Sequence, residues 1–274
     1  MRWVKVIALF FFWSVFLVLT VFTHLGVYLL RLPRRWRIVS KLTRGFVSLL
    51  TTLLNVKITV QGNAQALKSG GRLIVSNHFG YLDGFVLGSL WPVIYVSKRE
   101  VRQWPLIGPW TALCGTIYID RERKDKVPLL VEEIEKKLRQ NANVLLFPEG
   151  TSSNGETLLP FQTAPFAAPL RARAPIVPVT LAYETINHQP LSLANRDLVY
   201  WYGDMEFLNH FWGLLAVRNV EVLVQVHTEI ETARQENNSS SRKQLTLACY
   251  EAISRGMGME DGEERRDNRQ QRFS

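Results

Sequence analysis

The sequence feature that most constrains the structure of this chain is an uncharged apolar run near the amino terminus. Residues 6–30 form 25 consecutive positions without Asp, Glu, Lys or Arg. As an α-helix the run extends about 37 Å, whereas the hydrocarbon core of a bilayer is about 30 Å thick. We predict an uncleaved membrane helix, because a signal peptide has a shorter apolar region and a small-residue cleavage site. The sequence leaves open whether this helix spans the bilayer or only dips into it.

Positive charge is concentrated in the amino-terminal part of the chain. Eleven of the 33 Lys and Arg residues, and none of the 24 acidic residues, precede Asp83. The heavier basic flank, residues 31–44, follows the apolar run, so we expect the rest of the chain on the cytoplasmic side of the membrane. Basic residues beside an apolar segment favour anionic lipid as a partner, and we predict no nucleic-acid binding.

Beyond residue 55, apolar runs of strand type alternate with amphipathic helical patterns. The strand-type runs are residues 56–60, 73–76, 93–97, 115–119, 144–147, 176–183, 198–202 and 220–226. Helical periodicity appears at residues 127–138, with Asp125 placed as the N-cap, and at residues 245–253. This alternation predicts an α/β fold, a single domain with a mixed, largely covered sheet flanked by helices, preceded by the N-terminal membrane helix.

The composition divides the chain into three segments. Residues 1–55 form the membrane anchor with a basic, amphipathic helical segment, and residues 56–254 form the globular domain. Residues 255–274 contain scarcely any apolar side chain, so we predict a disordered polar tail.

A histidine and a carboxylate follow the run at residues 73–76. The segment reads Asn77-His78-Phe79-Gly80-Tyr81-Leu82-Asp83, and Asp83 is the first acidic residue of the chain. A neutral imidazole can remove a proton from an alcohol, and a carboxylate that accepts its other N–H fixes the tautomer. Alternatively, His78 is an ordinary loop residue and Asp83 caps the following helix. The spacing supports both interpretations equally.

Three further segments place Gly, Pro and polar residues where apolar strands end. They are residues 115–121, 147–153 and 175–179. The ends of strands are where an α/β sheet commonly binds its ligands. Together with residues 77–83 they form an ordered series of four candidate motifs.

This series resembles the glycerolipid acyltransferase family typified by 1-acylglycerol-3-phosphate acyltransferases, over roughly residues 56–230. Residues 77–83 match the family's Asn-His-x-x-x-x-Asp box, and residues 147–151 match its Phe-Pro-Glu-Gly-Thr box. Both boxes in this order make the resemblance specific. The family's segment between its first two boxes is matched by Lys98, Glu100, Pro105 and Gly108. Its last box is matched by Pro178.

The resemblance implies an enzyme that moves a fatty acyl group from acyl-CoA or acyl carrier protein to the free hydroxyl of a lysolipid. His78 is then the general base and Asp83 its orienting partner. The residues expected to bind the acceptor are Asn77, Arg121, Glu149, Gly150 and Thr151. A base suits this chemistry because a lysolipid hydroxyl is a poor nucleophile until its proton is removed. We expect no cofactor, and the scattered remaining histidines give no spacing for a metal site.

The family suggests 1-acyl-sn-glycerol-3-phosphate as the acceptor and phosphatidic acid as the product. However, Ser152 stands where the third box usually has Arg, which removes a cation suited to a phosphate. Residues 201–205 resemble the lyso-ornithine lipid branch of the family, so a lyso-ornithine lipid is the alternative acceptor. A different class, a lipid hydrolase or thioesterase, would use His78 to activate water or a serine, but the sequence contains no Gly-x-Ser-x-Gly elbow.

Overall fold

The computed structural model describes residues 2–32, 35–104, 107–120 and 123–259. Within these residues, eight strands form one mixed sheet flanked by helices, which confirms the predicted fold class. The helices are α1 (Arg2–Leu29), α2 (Arg35–Leu53), α3 (Tyr81–Leu90), α4 (Ile107–Leu113), α5 (Val127–Arg139), α6 (Ala167–Ala172), α7 (Phe207–Leu214) and α8 (Ser239–Gly256). The strands are β1 (Val56–Gly62), β2 (Leu73–Ser76), β3 (Val93–Lys98), β4 (Ile117–Ile119), β5 (Asn143–Leu146), β6 (Ile176–Ile186), β7 (Gln189–Pro190) and β8 (Val220–Val226).

The strand order places the ends of β2 and β5 side by side. The sheet runs β1-β8-β6-β2-β5-β3-β4, and the short β7 pairs with β6. Strands β6, β2, β5, β3 and β4 are mutually parallel, whereas β8 is antiparallel to β6. In this register Val75 lies between Leu146 and Pro178. The segments that follow β2 and β5 therefore leave the sheet at the same edge.

Apolar cores cover both faces of this sheet. One core lies against α2, α3 and α7, and the other lies against α5, α6 and α8. Along β2, Ile74 belongs to the first core, and Leu73 and Val75 belong to the second, as the two-residue period of a strand requires. All three side chains are fully buried, which explains why these three positions are apolar.

Helix α1 is docked along the globular domain. Near its first residues, Lys5 Nζ donates to the carbonyl of Val217 at 3.1 Å, and near its end His24 Nε2 lies 2.8 Å from the carbonyl oxygen of Leu113. Among the described helices, α1 is the one long and apolar enough to cross a membrane, by length and composition. Its outward face exposes large apolar side chains, among them Trp3, Ile7, Phe10, Phe11, Val18, Phe22, Leu25 and Leu29.

Most of the strand-type runs are strands, but residues 198–202 are not. A short 3-10 turn at Arg196–Leu198 is followed by irregular backbone, so this prediction was wrong. The apolar pattern there reflects packing, because Val199 and Tyr200 are buried in the first core. The predicted capping role of Asp125 was also wrong, since its carboxylate accepts from Arg123 instead.

The division at residues 55 and 254 stays a prediction. Helix α2 ends at Leu53 and β1 begins at Val56, whereas α8 continues to Gly256. Met259 is buried against the second core. Residues 260–274 of the predicted disordered tail lie outside the described residues.

Candidate active site

His78 and Asp83 lie in the turn that joins β2 to α3, and they are hydrogen bonded. His78 Nδ1 is 2.9 Å from Asp83 Oδ2. Because an ionised carboxylate can only accept, Nδ1 donates and Nε2 is left with the lone pair that can accept a proton. The Asp83 side chain is fully buried, whereas 18% of the His78 side chain is exposed. The imidazole is therefore oriented from inside the protein and can be reached from outside.

The Asp83 carboxylate also organises the backbone of the turn. Its Oδ2 accepts the N–H groups of Phe79 at 2.5 Å and Gly80 at 2.8 Å, just before the first turn of α3. Its Oδ1 accepts the hydroxyl of Tyr183 from β6 at 2.7 Å. These contacts are compatible with both interpretations of Asp83, since one carboxylate binds the N–H groups at the start of α3 and the imidazole of His78.

The segment after β5 fixes His78 from a second side. The ring of Phe147 stacks on the imidazole, with centroids 4.0 Å apart and planes 15° apart. The His78 backbone N–H donates to Glu149 Oε1 at 2.7 Å, and its carbonyl accepts from the N–H of Ser153 at 2.9 Å. Because β2 and β5 are adjacent and parallel, the first and third motifs build one site.

Glu149 is buried between two backbone segments. Its second oxygen, Oε2, accepts from the N–H of Leu159 at 3.0 Å, and the residue is 6% exposed. Burial raises the pKa of the Glu149 carboxyl to about 7, and the Asp83 charge acts in the same direction, against the two backbone hydrogen bonds. The arrangement supports the backbone around His78. The predicted contact of Glu149 with the acceptor stays a prediction.

Asn77 is fully buried, and its side-chain amide pairs with one residue of β6. Its Nδ2 donates to the carbonyl of Leu181 at 3.0 Å, and its Oδ1 accepts the N–H of Leu181 at 2.9 Å. This pair of bonds holds the loop that carries His78 against the sheet. A direct contact between Asn77 and the acceptor stays a prediction.

The other residues predicted to bind the acceptor are Gly150, Thr151 and Arg121. Gly150 has φ +75°, a left-handed conformation that favours glycine, and its N–H donates to the Phe147 carbonyl at 3.1 Å. That N–H therefore closes a turn. Thr151 is exposed next to it. Arg121 lies outside the described residues, so its predicted role is untested.

Tyr183 is a member of the site that sequence reasoning missed. It is buried in β6, and burial together with the Asp83 charge raises the pKa of its hydroxyl well above the usual value. The hydroxyl therefore stays protonated and donates to Asp83. The available signal was the tyrosine itself, since a phenol inside a buried strand needs a polar partner.

The segment at residues 201–205 lies against the turn that carries His78. The N–H of Trp201 donates to the carbonyl of Phe79 at 2.9 Å, and a side chain at Gly80 would come within 2.8 Å of the Trp201 nitrogen. Lys98 Nζ lies 5.1 Å from the centre of the Trp201 ring and 5.6 Å from that of Trp104. A cation held by two aromatic rings therefore borders the turn that carries His78.

Comparison with known proteins identifies the family of this chain. Residues 57–182 match the family model described as Acyltransferase. The lyso-ornithine lipid O-acyltransferase of Brucella abortus is 31% identical over 203 residues, which cover 72% of this chain and 74% of that protein. The chain belongs to the acyltransferase family. The resemblance drawn from the motifs is confirmed, and this acyltransferase carries its His78–Asp83 pair inside the matched region.

Other relatives of the acyltransferase carry two names. A lyso-ornithine lipid O-acyltransferase of Pseudomonas aeruginosa is 33% identical, with 77% of this chain and 79% of that protein covered. A 1-acyl-sn-glycerol-3-phosphate acyltransferase of Neisseria meningitidis is 25% identical, with 77% and 78% covered. The crystal structure of a 1-acyl-sn-glycerophosphate acyltransferase from Thermotoga maritima has a TM-score of 0.59 at 19% identity, over 94% of this chain and 97% of that chain, and so shares the fold.

Proposed function

We propose that this acyltransferase moves a fatty acyl group from a thioester donor to the hydroxyl of a lysolipid, and that the acceptor is a lyso-ornithine lipid. The observation that carries the chemistry is the bond between His78 Nδ1 and the buried Asp83, which leaves Nε2 of a reachable imidazole to act as the base. The donor is acyl-CoA or the acylated form of acyl carrier protein. The reaction calls for no cofactor, because a thioester is already an activated acyl group.

The proposed reaction is a direct transfer. The acceptor oxygen attacks the thioester carbonyl carbon while His78 Nε2 takes its proton, and Asp83 stabilises the imidazolium that forms. The tetrahedral intermediate then breaks its C–S bond, and the imidazolium returns the proton to the leaving sulfur. An ester and a free thiol result. Family membership favours this transfer over hydrolysis.

Two observations favour the lyso-ornithine acceptor. Relatives with that name are 30–33% identical, whereas the 1-acyl-sn-glycerol-3-phosphate acyltransferases are 25–29% identical. Ser152 replaces the arginine that a phosphate would attract, while Lys98 remains beside the catalytic turn. A single cation suits the carboxylate of an ornithine headgroup. The second candidate acceptor is 1-acyl-sn-glycerol-3-phosphate, which the predicted role of Arg121 and the Neisseria relative favour.

The proposed location is the surface of the cytoplasmic membrane leaflet. Helix α1 touches the domain near both of its ends, at Val217 and at Leu113. A helix that crossed the bilayer would carry one end away from the domain. We therefore place α1 in the interface, with its exposed apolar face in the lipid and the basic residues that follow it on anionic headgroups. This position lets a lysolipid reach His78 without leaving the membrane.

The test is a competition between acceptors. Purified protein is incubated with labelled acyl-CoA or acyl carrier protein and with equal amounts of lyso-ornithine lipid and 1-acyl-sn-glycerol-3-phosphate, and the products are identified by mass. We expect acylated ornithine lipid to dominate. Predominant phosphatidic acid would select the second candidate, and release of free fatty acid alone would contradict acyl transfer.

A variant sharpens the test. Ser152→Arg restores the cation suited to phosphate, so its kcat/KM ratio should move towards 1-acyl-sn-glycerol-3-phosphate by about tenfold, the effect of one charged contact. Thr157→Arg adds the same charge to an exposed position of the same loop and is the control. An equal change of the ratio in both variants would remove the role given to residue 152.

A further inference from the structure

A cavity lies between the end of α1, the start of α2 and the second half of α5. Its volume is about 430 Å³. It is lined by Leu32, Arg35, Trp36, Glu133, Lys136, Lys137 and Gln140. Trp36 is held in place from behind, because its ring occupies the space that a side chain at Gly115 would need. The cavity therefore has a fixed wall.

Positive charge in this cavity exceeds negative charge. Lys137 Nζ lies 3.2 Å from the centre of the Trp36 ring, and the guanidinium carbon of Arg35 lies 4.2 Å from the same centre. Lys136 pairs with the single lining carboxylate, Glu133, at 3.7 Å. Among the described residues, no carboxylate forms an ion pair with Lys137. Arg35 and Lys137 thus share one aromatic ring, and Glu133 is the single lining carboxylate near three basic side chains.

Lys137 is the unusual member of this group. It is 4% exposed, although a lysine is almost never fully buried unless it is paired. Burial lowers the pKa of its ammonium group to about 7. The charge of Glu133 opposes this shift, whereas the charges of Arg35 and Lys136 add to it. A bound anion would reverse this effect, because it stabilises the charged form of Lys137.

The cavity is remote from the catalytic turn. Helix α5 ends at Arg139, just before Asn143 begins β5, whereas Phe147 and the His78 turn follow the carboxyl ends of β5 and β2. The four residues of β5 span about 13 Å. The cavity and the site of acyl transfer are therefore at opposite edges of the sheet.

The cavity is also next to exposed apolar side chains. Tyr28, Leu29 and Leu30 near the end of α1 are 79%, 66% and 71% exposed, and Leu32 is part of the cavity wall. Aromatic and basic residues that follow an apolar helix are typical of the headgroup level of a membrane. An anion bound here would therefore come from the bilayer surface.

We propose that this cavity binds the phosphate of an anionic membrane lipid through Arg35, Lys136 and Lys137, at a site separate from the acceptor site. The phosphate neutralises the positive charge of Arg35 and Lys137 over Trp36. The acyl chains of the same lipid lie along the exposed apolar residues at the end of α1. The site fixes the orientation of the enzyme on anionic membranes. It does not depend on which lysolipid is acylated.

The test measures binding of the full-length protein to vesicles of phosphatidylcholine with and without phosphatidylglycerol. Lys137→Met removes the charge but keeps an unbranched apolar stem on Trp36, so the variant should fold, with a Tm equal to or above that of the wild type. Its binding to the phosphatidylglycerol vesicles should weaken about fivefold, the effect of one basic residue at an anionic surface. Binding to phosphatidylcholine alone and acyl transfer in detergent should not change.

Lys243→Met, at an exposed position of α8, is the matched control, and Arg35→Gln is the second variant. An equal loss in Lys137→Met and Lys243→Met would overturn the proposal, as would unchanged binding in both Lys137→Met and Arg35→Gln. Inorganic phosphate distinguishes the source of the anion. If it displaced the wild type from the vesicles but not Lys137→Met, the cavity would be a site for free phosphate and the lipid assignment would be wrong.

Discussion

The hydroxyl of Tyr183 donates a hydrogen bond to Asp83 Oδ1 at 2.7 Å, on the carboxylate whose other oxygen binds His78. Tyr183 belongs to β6, and the His78 turn follows β2, which pairs with β6. The sheet itself therefore aligns three side chains, from a buried phenol through a buried carboxylate to a reachable imidazole. This alignment makes Tyr183 a positioning residue for the proposed base, His78.

Tyr183→Phe should lower kcat for acyl transfer by about tenfold, with little change in KM for the lysolipid. The hydrogen bond to a charged group contributes about 1.5 to 3 kcal/mol, and without it the carboxylate can rotate out of the orientation that aligns the imidazole, which lowers kcat. The carboxylate charge that Tyr183 no longer offsets favours the imidazolium form, so the acid limb of the profile of kcat/KM against pH should move to higher pH. Tyr250→Phe is the control, because it removes the hydrogen bond that the hydroxyl of Tyr250, on α8, donates to the carbonyl of Leu158. An unchanged pH profile in Tyr183→Phe would contradict the positioning role.

Asn77→Asp should destabilise the protein by about 3 kcal/mol. The carboxylate would accept the N–H of Leu181 but would face the Leu181 carbonyl at a fully buried position, where an unpaired charge is costly. Urea unfolding of the two proteins measures the difference. Asn154→Asp is the control, because its side-chain oxygen accepts the N–H of Glu156 near the surface and an aspartate can replace it. Equal stability of Asn77→Asp and wild type would rule out the bracing role of Asn77.

Glu149→Gln should change how stability depends on pH. The folded-state pKa of about 7 lies above the ordinary 4.5, so the folded protein binds more protons between these values than the unfolded chain. The contribution of Glu149 is therefore present below pH 4.5 and is lost as the pH rises through about 7. From pH 5 to pH 8 the free energy of unfolding of the wild type should fall relative to the variant, by about 3 kcal/mol at most. A pH-independent difference would show that Glu149 is ionised throughout.

The sequence predicted the elements whose burial follows one regular pattern along their length. Strands β2 and β8 have the predicted bounds because every residue of β2 is buried and β8 alternates regularly. The strand prediction for residues 198–202 failed because the N–H of Trp201 donates to the carbonyl of Phe79. This contact joins distant parts of the chain, and local periodicity does not reveal it.

The hydrogen-bonded pair could be predicted because His78 and Asp83 lie in one short segment with a recognisable motif. The supports around it could not, because Tyr183 and Leu181 become neighbours of that segment only when β6 pairs with β2. Glu149 was recognised from its motif, but its burial against two backbone segments follows from the loop conformation. Residue types and their spacing predicted the chemistry. The pairing of strands determined which groups hold His78 and Asp83 in place.

The rate of acyl transfer by His78→Ala tests the central claim most directly. Purified wild type and variant are first shown to have the same Tm. Each is then incubated with labelled thioester donor and lysolipid, and the acylated product is measured. A general base contributes about 10² to 10⁴ in rate, so the variant should lose at least that lower factor in kcat. Retention of most of the wild-type rate by His78→Ala would contradict the assignment of His78 as the base.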